Sequence, residues 1–168
     1  MNSMSRPHDH DDRSICCKKE KEAEVILKCK TAYPLTILET TTTGSTFVLD
    51  PITLNLTNFK NPCIKFEFAA NIVTVGTTVT LDFQIFKLCS DQISPTAVGP
   101  VWVYDRTLST GSESFAFIVC ECDCDACPEE CCTYSVVVTA VSTEVGTTVI
   151  NNATFAALVA ENKRQCCC

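Results

Sequence analysis

Strict alternation of apolar and polar side chains marks the stretch CIKFEFA at residues 63–69. Ile64, Phe66 and Phe68 fall on one side of an extended chain, and the charged residues between them fall on the other. A repeat of two residues is typical of a β-strand that has one face in a core and the other in solvent. The stretch therefore predicts a half-buried β-strand.

Similar runs lie on both sides of this stretch, separated by Gly, Pro and Asn. They cover residues 23–30, 35–39, 47–49, 52–57, 80–89, 101–105, 114–122, 133–141 and 147–159. In the last run Thr, Val and Phe dominate and there is no capping box, so we interpret it as strand rather than helix. Many strands of similar spacing predict an all-β protein, folded as a β-sandwich or barrel.

The pentapeptide VGTTV occurs twice, at residues 75–79 and 145–149. At both places we predict a turn that leads into a strand. A repeat of this kind suits a jelly roll built from two Greek-key halves. Convergent turn chemistry explains it about as well.

The composition limits the size and the partners of the protein. With 168 residues, of which 46% are hydrophobic, the chain is long enough for one domain with a buried core. Its net charge of −7 argues against nucleic acid as a partner, because binding a phosphate backbone needs a basic surface. No apolar run approaches the ~18 residues of a membrane-spanning helix, so we expect no insertion into a membrane.

Cysteine is unusually frequent, with 14 residues in the chain. This content is near that of small secreted proteins that are held together by disulfides. The polar N-terminus, residues 1–13, nevertheless lacks the apolar core of a signal peptide. Two situations reconcile these observations: the thiols bind metal in a reducing cell, or the protein is made in a cell that later releases it to oxidants.

A vicinal cysteine pair precedes the predicted β-domain of residues 23–160. Cys16 and Cys17 belong to residues 1–22, which we interpret as a flexible tail and a charged, extended connector arm. Neighbouring cysteines on such a segment are better placed to reach another molecule than to stabilise their own core. We therefore interpret the domain as a building block and the arm as its covalent connector.

A second cysteine cluster follows the domain. Cys166, Cys167 and Cys168 end a polar tail, residues 161–168. Three adjacent thiols cannot all bond to one another without strain, so they are available as further cross-links to outside partners.

The most densely spaced cysteines predict zinc binding as the alternative. Four thiolates could surround a zinc ion at about 2.3 Å, and the candidates are Cys124, Cys127, Cys131 and Cys132. Their spacing is less regular than that of a zinc ribbon, and no second CxxC lies elsewhere in the chain. Cys120 and Cys122, two apart on a predicted strand, point the same way, toward a sheet partner or an arm laid across the strand. We favour structural or intermolecular disulfides, and we expect no metal and no other cofactor.

Catalysis has little support in the sequence. Both histidines, His8 and His10, lie in the N-terminal tail, where neither is held as a catalytic base. The chain has no Gly-rich phosphate loop, no HExxH and no GxSxG motif. We therefore expect that the protein is not an enzyme.

The layout of these cysteines resembles that of the endospore appendage proteins of Firmicutes, and more closely that of a related clostridial cysteine-rich group of unassigned function. The resemblance lies in the Cys-Cys arm before the first strand, a β-domain of this length, and cysteines on the first strand and on a late one. It implies an eight-stranded jelly-roll β-sandwich with an extended N-terminal connector arm.

The same resemblance implies a function. In that family, subunits form a homopolymeric fibre in which each arm is fixed to a neighbour by disulfides. Carried over to this chain, the intermolecular disulfides would involve Cys16, Cys17, Cys29, Cys120 and Cys122. The cluster at residues 122–132 and the last three cysteines depart from the family pattern, and they could add a lateral link or cap the assembly. A protein made in the mother cell would reach the spore surface without a signal peptide and meet oxidants after lysis.

Overall fold

The computed structural model describes residues 25–59, 61–90, 92–122 and 131–161. Its strands are β1 (Val25–Thr31), β2 (Leu35–Leu38), β3 (Thr46–Val48), β4 (Ile52–Asn55), β5 (Pro62–Cys89), β6 (Thr96–Glu121) and β7 (Cys131–Glu161). No helix that could cross a membrane occurs in these ranges. The predicted all-β class is confirmed.

The seven strands form one antiparallel sheet. β5 lies between β6 and β7 along nearly its whole length. The four short strands β1 to β4 lie along the other edge of β7, each opposite a different part of it. The three long strands therefore form the frame, and the short strands complete one edge.

The long strands bend back so that the sheet covers itself. Phe68 and Phe83 belong to the same strand, yet their ring centroids are 5.7 Å apart. In a straight strand fifteen residues would separate them by roughly 50 Å. Trp102 and Phe117 of β6 show the same reversal, with centroids 5.4 Å apart. The folded sheet is a β-sandwich, as predicted.

The two halves of the sheet form two layers. The first layer contains β1 and the parts of β7, β5 and β6 at residues 154–161, 62–69 and 112–121. The second layer contains β3, β4 and the parts of the long strands at residues 131–140, 79–89 and 96–106. The edges of β1 and β4 meet where Lys28 Nζ donates a hydrogen bond of 2.7 Å to the Thr53 carbonyl.

The core lies between the layers. Ile64, Phe66 and Phe68, the predicted inward residues of β5, are all buried. Phe66 contacts Tyr134 of the second layer, with ring centroids 4.7 Å apart. Burying an apolar side chain of this size contributes roughly 1.5–3 kcal/mol. Alternation in the sequence thus corresponds to packing between the layers.

The two VGTTV segments lie side by side at the bend of the sandwich. Val75 is opposite Thr147, and Thr78 is opposite Val145. Gly146 has φ +76°, and a Cβ atom at this position would lie 2.3 Å from the Val75 carbonyl oxygen. The predicted turns before strands were wrong, because both segments are bent parts of continuous strands.

The strand count also differs from the sequence prediction. The runs predicted at residues 133–141 and 147–159 form the single strand β7, and two further pairs of runs merge into β5 and β6. The described residues thus form seven strands, and the eight-stranded count is not confirmed. Residues 1–22, with the predicted arm, and residues 162–168 of the predicted C-terminal tail lie outside the described ranges.

Candidate functional site

One disulfide joins β5 to the end of β6. Cys63 and Cys122 are bonded, with Cα atoms 4.2 Å apart. Ile64 is opposite Glu121 in the β5–β6 ladder, so the next residue pair on the two strands brings these cysteines together. The resemblance described above implies Cys122 as an acceptor for a neighbouring subunit. The structure corrects this, because its partner lies in the same chain.

A second disulfide joins β5 to β7 in the second layer. Cys89 and Cys132 are opposite each other on β5 and β7, and both are buried. The alternative zinc site loses Cys132 as a ligand, because this thiol is already bonded. Cys131 is exposed on the other side of the strand, and Cys124 and Cys127 lie outside the described residues. Within the described ranges, no three metal-ligating side chains cluster.

The sequence analysis did not single out Cys63 or Cys89. Each lies at one end of β5, and its partner lies at the end of a different long strand. Only the pairing register places the sulfur atoms together, and neither composition nor spacing reveals it. The signal that could have found them is their position at the two ends of a long alternating segment.

Three described cysteines are unpaired and exposed, namely Cys29, Cys120 and Cys131. Cys29 and Cys120 lie on the outer surface of the first layer, which we name the thiol face. Directly opposite residues in an antiparallel sheet project to the same side, so the register defines two rows across this face. The rows are Cys29–Ala156–Glu67–Ile118 and Leu27–Leu158–Lys65–Cys120.

The two thiols of this face are separated by three strand spacings and two residues. With ~4.8 Å between strands and ~3.3 Å per residue, their Cα atoms are about 16 Å apart. They cannot bond to each other, because bonded cysteines have Cα atoms less than about 7 Å apart. Both thiols are therefore open to a partner from outside the described sheet.

The thiol face is largely apolar. Leu27, Val25 and Ile118 are 69%, 57% and 54% exposed. Lys65 and Glu67 form an ion pair of 2.5 Å near the centre, and the hydrogen bond to Glu67 raises the pKa of Lys65. Val25, Leu27 and Leu158 form an exposed apolar patch on β1 and β7, and the ion pair on β5 separates this patch from Ile118 on β6. Exposed apolar patches are typical of interaction sites.

The cysteines are concentrated at one end of the sandwich, which we name the cysteine end. Val25 at the start of β1 is opposite Ala160, near the end of β7. Cys122 and Cys131, which flank the segment between β6 and β7, lie at this end as well. In the described ranges, no cysteine occurs at the opposite end, where the VGTTV segments pair.

The part of the chain that carries the thiol face matches a family model. The family model described as "Domain of unknown function (DUF4489)" matches residues 23–160. The chain belongs to this family. The DUF4489 match contains both disulfides and both thiols of the thiol face, and it excludes the vicinal pair Cys16 and Cys17. A comparison with curated proteins found no match.

Solved structures of infectious bursal disease virus have a similar fold. The Gx strain protein has a TM-score of 0.55 and 13% identity over 84% of this chain and 33% of that one. The Gt strain protein has a TM-score of 0.55 and 10% identity, over 98% and 43%. For the virus-derived T=1 particles the TM-score is 0.51 and the identity 11%, over 82% and 36%. This chain spans less than half of each, and at such identity the likeness shows the fold alone.

Proposed function

We propose that this protein is a structural subunit that polymerises with copies of itself into a disulfide-cross-linked appendage fibre. The observation that carries the proposal is the thiol face, on which Cys29 and Cys120 lie unpaired among exposed apolar side chains. Neither thiol contributes a disulfide to the described domain. A covalent contact with a second copy gives both the thiols and the apolar surface a partner.

The connector arm of a neighbouring copy supplies the other half of each bond. Cys17 lies eight residues before Val25, so an extended arm places its thiol up to ~26 Å from the domain that carries it. The two thiols of the thiol face are ~16 Å apart, which is less than this reach, so an arm that crosses to a neighbouring copy can reach either of them. Cys16 and Cys17 can therefore engage the thiol face of a copy whose domain lies beside their own.

The domain suits this task because it is rigid. Two disulfides close the long strands at the cysteine end. If β5, β6 and β7 are each counted as two halves, each layer has three long segments and one short strand, which is β1 in the first layer and β4 in the second. We interpret these eight segments as a jelly roll to which β2 and β3 are added. The virus proteins of similar fold include a particle-forming one, so the architecture is compatible with assembly.

Bond formation removes two electrons and two protons from each pair of thiols. An oxidant such as dioxygen or a low-molecular-weight disulfide accepts them. Because the arm and the thiol face are different surfaces, the contact is heterologous and leads to an open filament unless its rotation closes. A fibre made after lysis of the mother cell, at the spore surface, would find this oxidising environment.

The test compares the full chain with two variants after oxidation. We expect fibres in negative-stain micrographs that survive boiling in detergent and dissolve only with reductant. The double variant Cys29→Ser/Cys120→Ser should lose this resistance, whereas Cys131→Ser should keep it. Discrete particles from the unmodified chain, or equally resistant fibres from the double variant, would overturn the proposal.

A further inference from the structure

The disulfide between Cys63 and Cys122 lies on the thiol face, beside the free thiol of Cys120. Cys63 and Lys65 are two residues apart on β5, so their side chains project to the same side of the sheet. Lys65 is directly opposite Cys120. Cys122 is bonded to Cys63 and follows Cys120 by two residues. Three cysteines and one lysine thus occupy neighbouring positions at the end of β6.

The spacing of the three cysteines determines which of them can exchange a bond. The Cα atom of Cys122 is 4.2 Å from that of Cys63. It is about 6.6 Å, or two strand residues, from that of Cys120. Cys63 and Cys120 are diagonal neighbours with Cα atoms roughly 7–8 Å apart, which is too far for a direct bond. A group bound to Cys120 can therefore reach Cys63 only by way of Cys122.

Exposure and charge make Cys120 the entry point. Cys120 and Cys122 are exposed, whereas Cys63 is half-buried. The pKa of Lys65 is raised first by Glu67 and further by the charge of Cys120, so the ammonium group and the sulfur interact. An ammonium group beside a sulfur attracts the negative charge that this sulfur carries when it attacks or leaves in disulfide exchange.

We propose that Cys120 catalyses the closure of the Cys63–Cys122 disulfide in its own chain, with a low-molecular-weight disulfide as the oxidant. We name the three cysteines the relay. This activity is separate from the proposed function, because its product is a bond within one domain. Cys120 is regenerated at the end, in agreement with the free thiol that lies beside the closed bond.

The relay consists of exchanges in which one S–S bond breaks as another forms. The Cys120 thiolate attacks the oxidant RSSR, bonds to one RS group and releases the other as RS⁻. The Cys122 thiolate attacks the sulfur of the bound RS group, and Cys120 leaves as a thiolate opposite Lys65. The Cys63 thiolate then attacks the Cys122 sulfur, and the second RS⁻ leaves. In total, Cys63 and Cys122 lose two electrons and two protons, and RSSR becomes two RSH.

The relay sets an order between closure of the domain and its assembly. A thiol that bonds to Cys120 while Cys63 and Cys122 are reduced is passed to Cys122 and expelled. After closure no thiolate remains at Cys122 to receive it, so Cys120 keeps its partner. Under the proposed function, a neighbouring copy is thus retained at Cys120 only by a domain that is already closed.

Oxidation kinetics of the full chain test the relay. Limiting reductant first opens the Cys63–Cys122 bond, because Cys122 is exposed, and leaves the buried Cys89–Cys132 bond closed. Bis(2-hydroxyethyl) disulfide is then added in the absence of oxygen, and samples are alkylated at intervals. This probe is uncharged, so the charge of Lys65 does not attract it.

Two peptides report the reaction. Trypsin and a glutamate-specific protease release residues 61–65, in which Cys63 is the single cysteine, and residues 114–121, in which Cys120 is the single cysteine. In the unmodified chain we expect the Cys63 thiol to disappear while residues 114–121 carry the hydroxyethylthio group only transiently. At the end Cys120 should again be a free thiol.

Lys65→Met separates an electrostatic role from a structural one. Loss of the charge should slow the closure roughly fivefold at low salt, the factor that an exposed ion pair provides. At ~1 M salt, where the Debye length is about 3 Å, the variant and the unmodified chain should react at similar rates. Cys120→Ser should slow the closure at least as much as Lys65→Met does. Cys29→Ser removes the other thiol of the same face and is the matched control, with an unchanged rate.

Cys63→Ser removes the last exchange. In this variant the hydroxyethylthio group should stay on Cys120 or Cys122. Closure at an equal rate in Cys120→Ser would overturn the relay, and so would an unmodified chain that keeps the group on Cys120 while Cys63 remains a thiol. Both results leave the proposed function intact, because they concern a bond within the chain. The yield of detergent-resistant fibres tests that function separately.

Discussion

Lys87 and Glu121 form an ion pair of 3.0 Å that joins the two layers beside the thiol face. Lys87 belongs to the second layer and Glu121 to the first, where it directly follows Cys120. The two side chains are only 15% and 12% exposed. Burial, and secondarily Glu121, raise the pKa of nearby Tyr134, so this phenol stays neutral. The Lys87–Glu121 ion pair thus fixes the end of β6, where the Cys120 thiol is exposed.

Replacing Lys87 with Met should therefore destabilise the domain. The change leaves the Glu121 carboxylate buried without its cation, which typically costs about 3 kcal/mol. Urea unfolding at neutral pH measures the loss. Lys65→Met, which breaks an exposed ion pair, is the control and should change stability little. Equal effects of the two substitutions would show that the Lys87 pair does not join the layers.

Gly146→Ala should disrupt the bend of the sandwich. The new Cβ would clash with the Val75 carbonyl oxygen, and the residue would also keep a positive φ. Gly44→Ala separates these effects, since Gly44 has φ +84° but no atom within 4 Å of an added Cβ. A left-handed conformation costs an alanine roughly 1–2 kcal/mol, so Gly44→Ala should lose that much and Gly146→Ala clearly more. Thermal unfolding measures both, and a milder effect at Gly146 would contradict the close approach of β5 and β7.

The sequence predicted what depends on local alternation. Ile64 and Phe66 were identified as core residues because the side-chain period of a strand is two, and both are buried. The bends were missed because glycine within VGTTV is a typical turn signal as well as a bend signal. Only the pairing of the two repeats shows that the chain continues through Gly76 and Gly146 as strand.

The candidate site depends on more than local alternation. The resemblance implies Cys29 and Cys120 as acceptors, and the structure describes both as unpaired and exposed on one face, while their role as acceptors stays a prediction. The resemblance implies an outside partner for Cys122, whereas the structure pairs it with Cys63, 59 residues away in the same chain. The register of distant strands sets such a bond, and no local pattern encodes register.

Removing the buried disulfide should destabilise the monomer. It should leave no new thiol that could accept a disulfide from another chain. The double variant Cys89→Ala/Cys132→Ala loses a cross-link between residues 43 positions apart, which typically costs about 2–4 kcal/mol. Denaturant midpoints of the oxidised proteins give the difference. Cys131→Ala is the neighbouring control and should leave the midpoint unchanged. A similar loss for both variants would place the stabilising bond at Cys131 instead.

Acid should weaken the domain through Glu113. Hydrogen bonds from Arg106, and then from the Tyr104 hydroxyl at 2.7 Å, hold the pKa of this carboxyl below its ordinary value of 4.5. The unfolded chain then takes up a proton at a higher pH than the folded one, so this stability is present above pH 4.5 and is lost as the pH falls through the lowered pKa. Urea midpoints between pH 7 and pH 3 should fall less steeply for Glu113→Gln than for the unmodified chain. Glu144→Gln, at an exposed carboxylate, is the control, and an identical slope for both variants would contradict the assignment.

A charge on the thiol face should block assembly while the fold persists. Ile118→Glu places a carboxylate in the row that contains Cys29, where a docked arm would have to desolvate it. Val103→Glu is the matched control, since Val103 is 58% exposed and lies on the outer surface of the second layer. Both variants should unfold within about 0.5 kcal/mol of the unmodified protein. Only Ile118→Glu should reduce the yield of detergent-resistant polymer after oxidation. If Val103→Glu reduces the yield as much, the docking surface includes the second layer and the proposal for the thiol face is wrong.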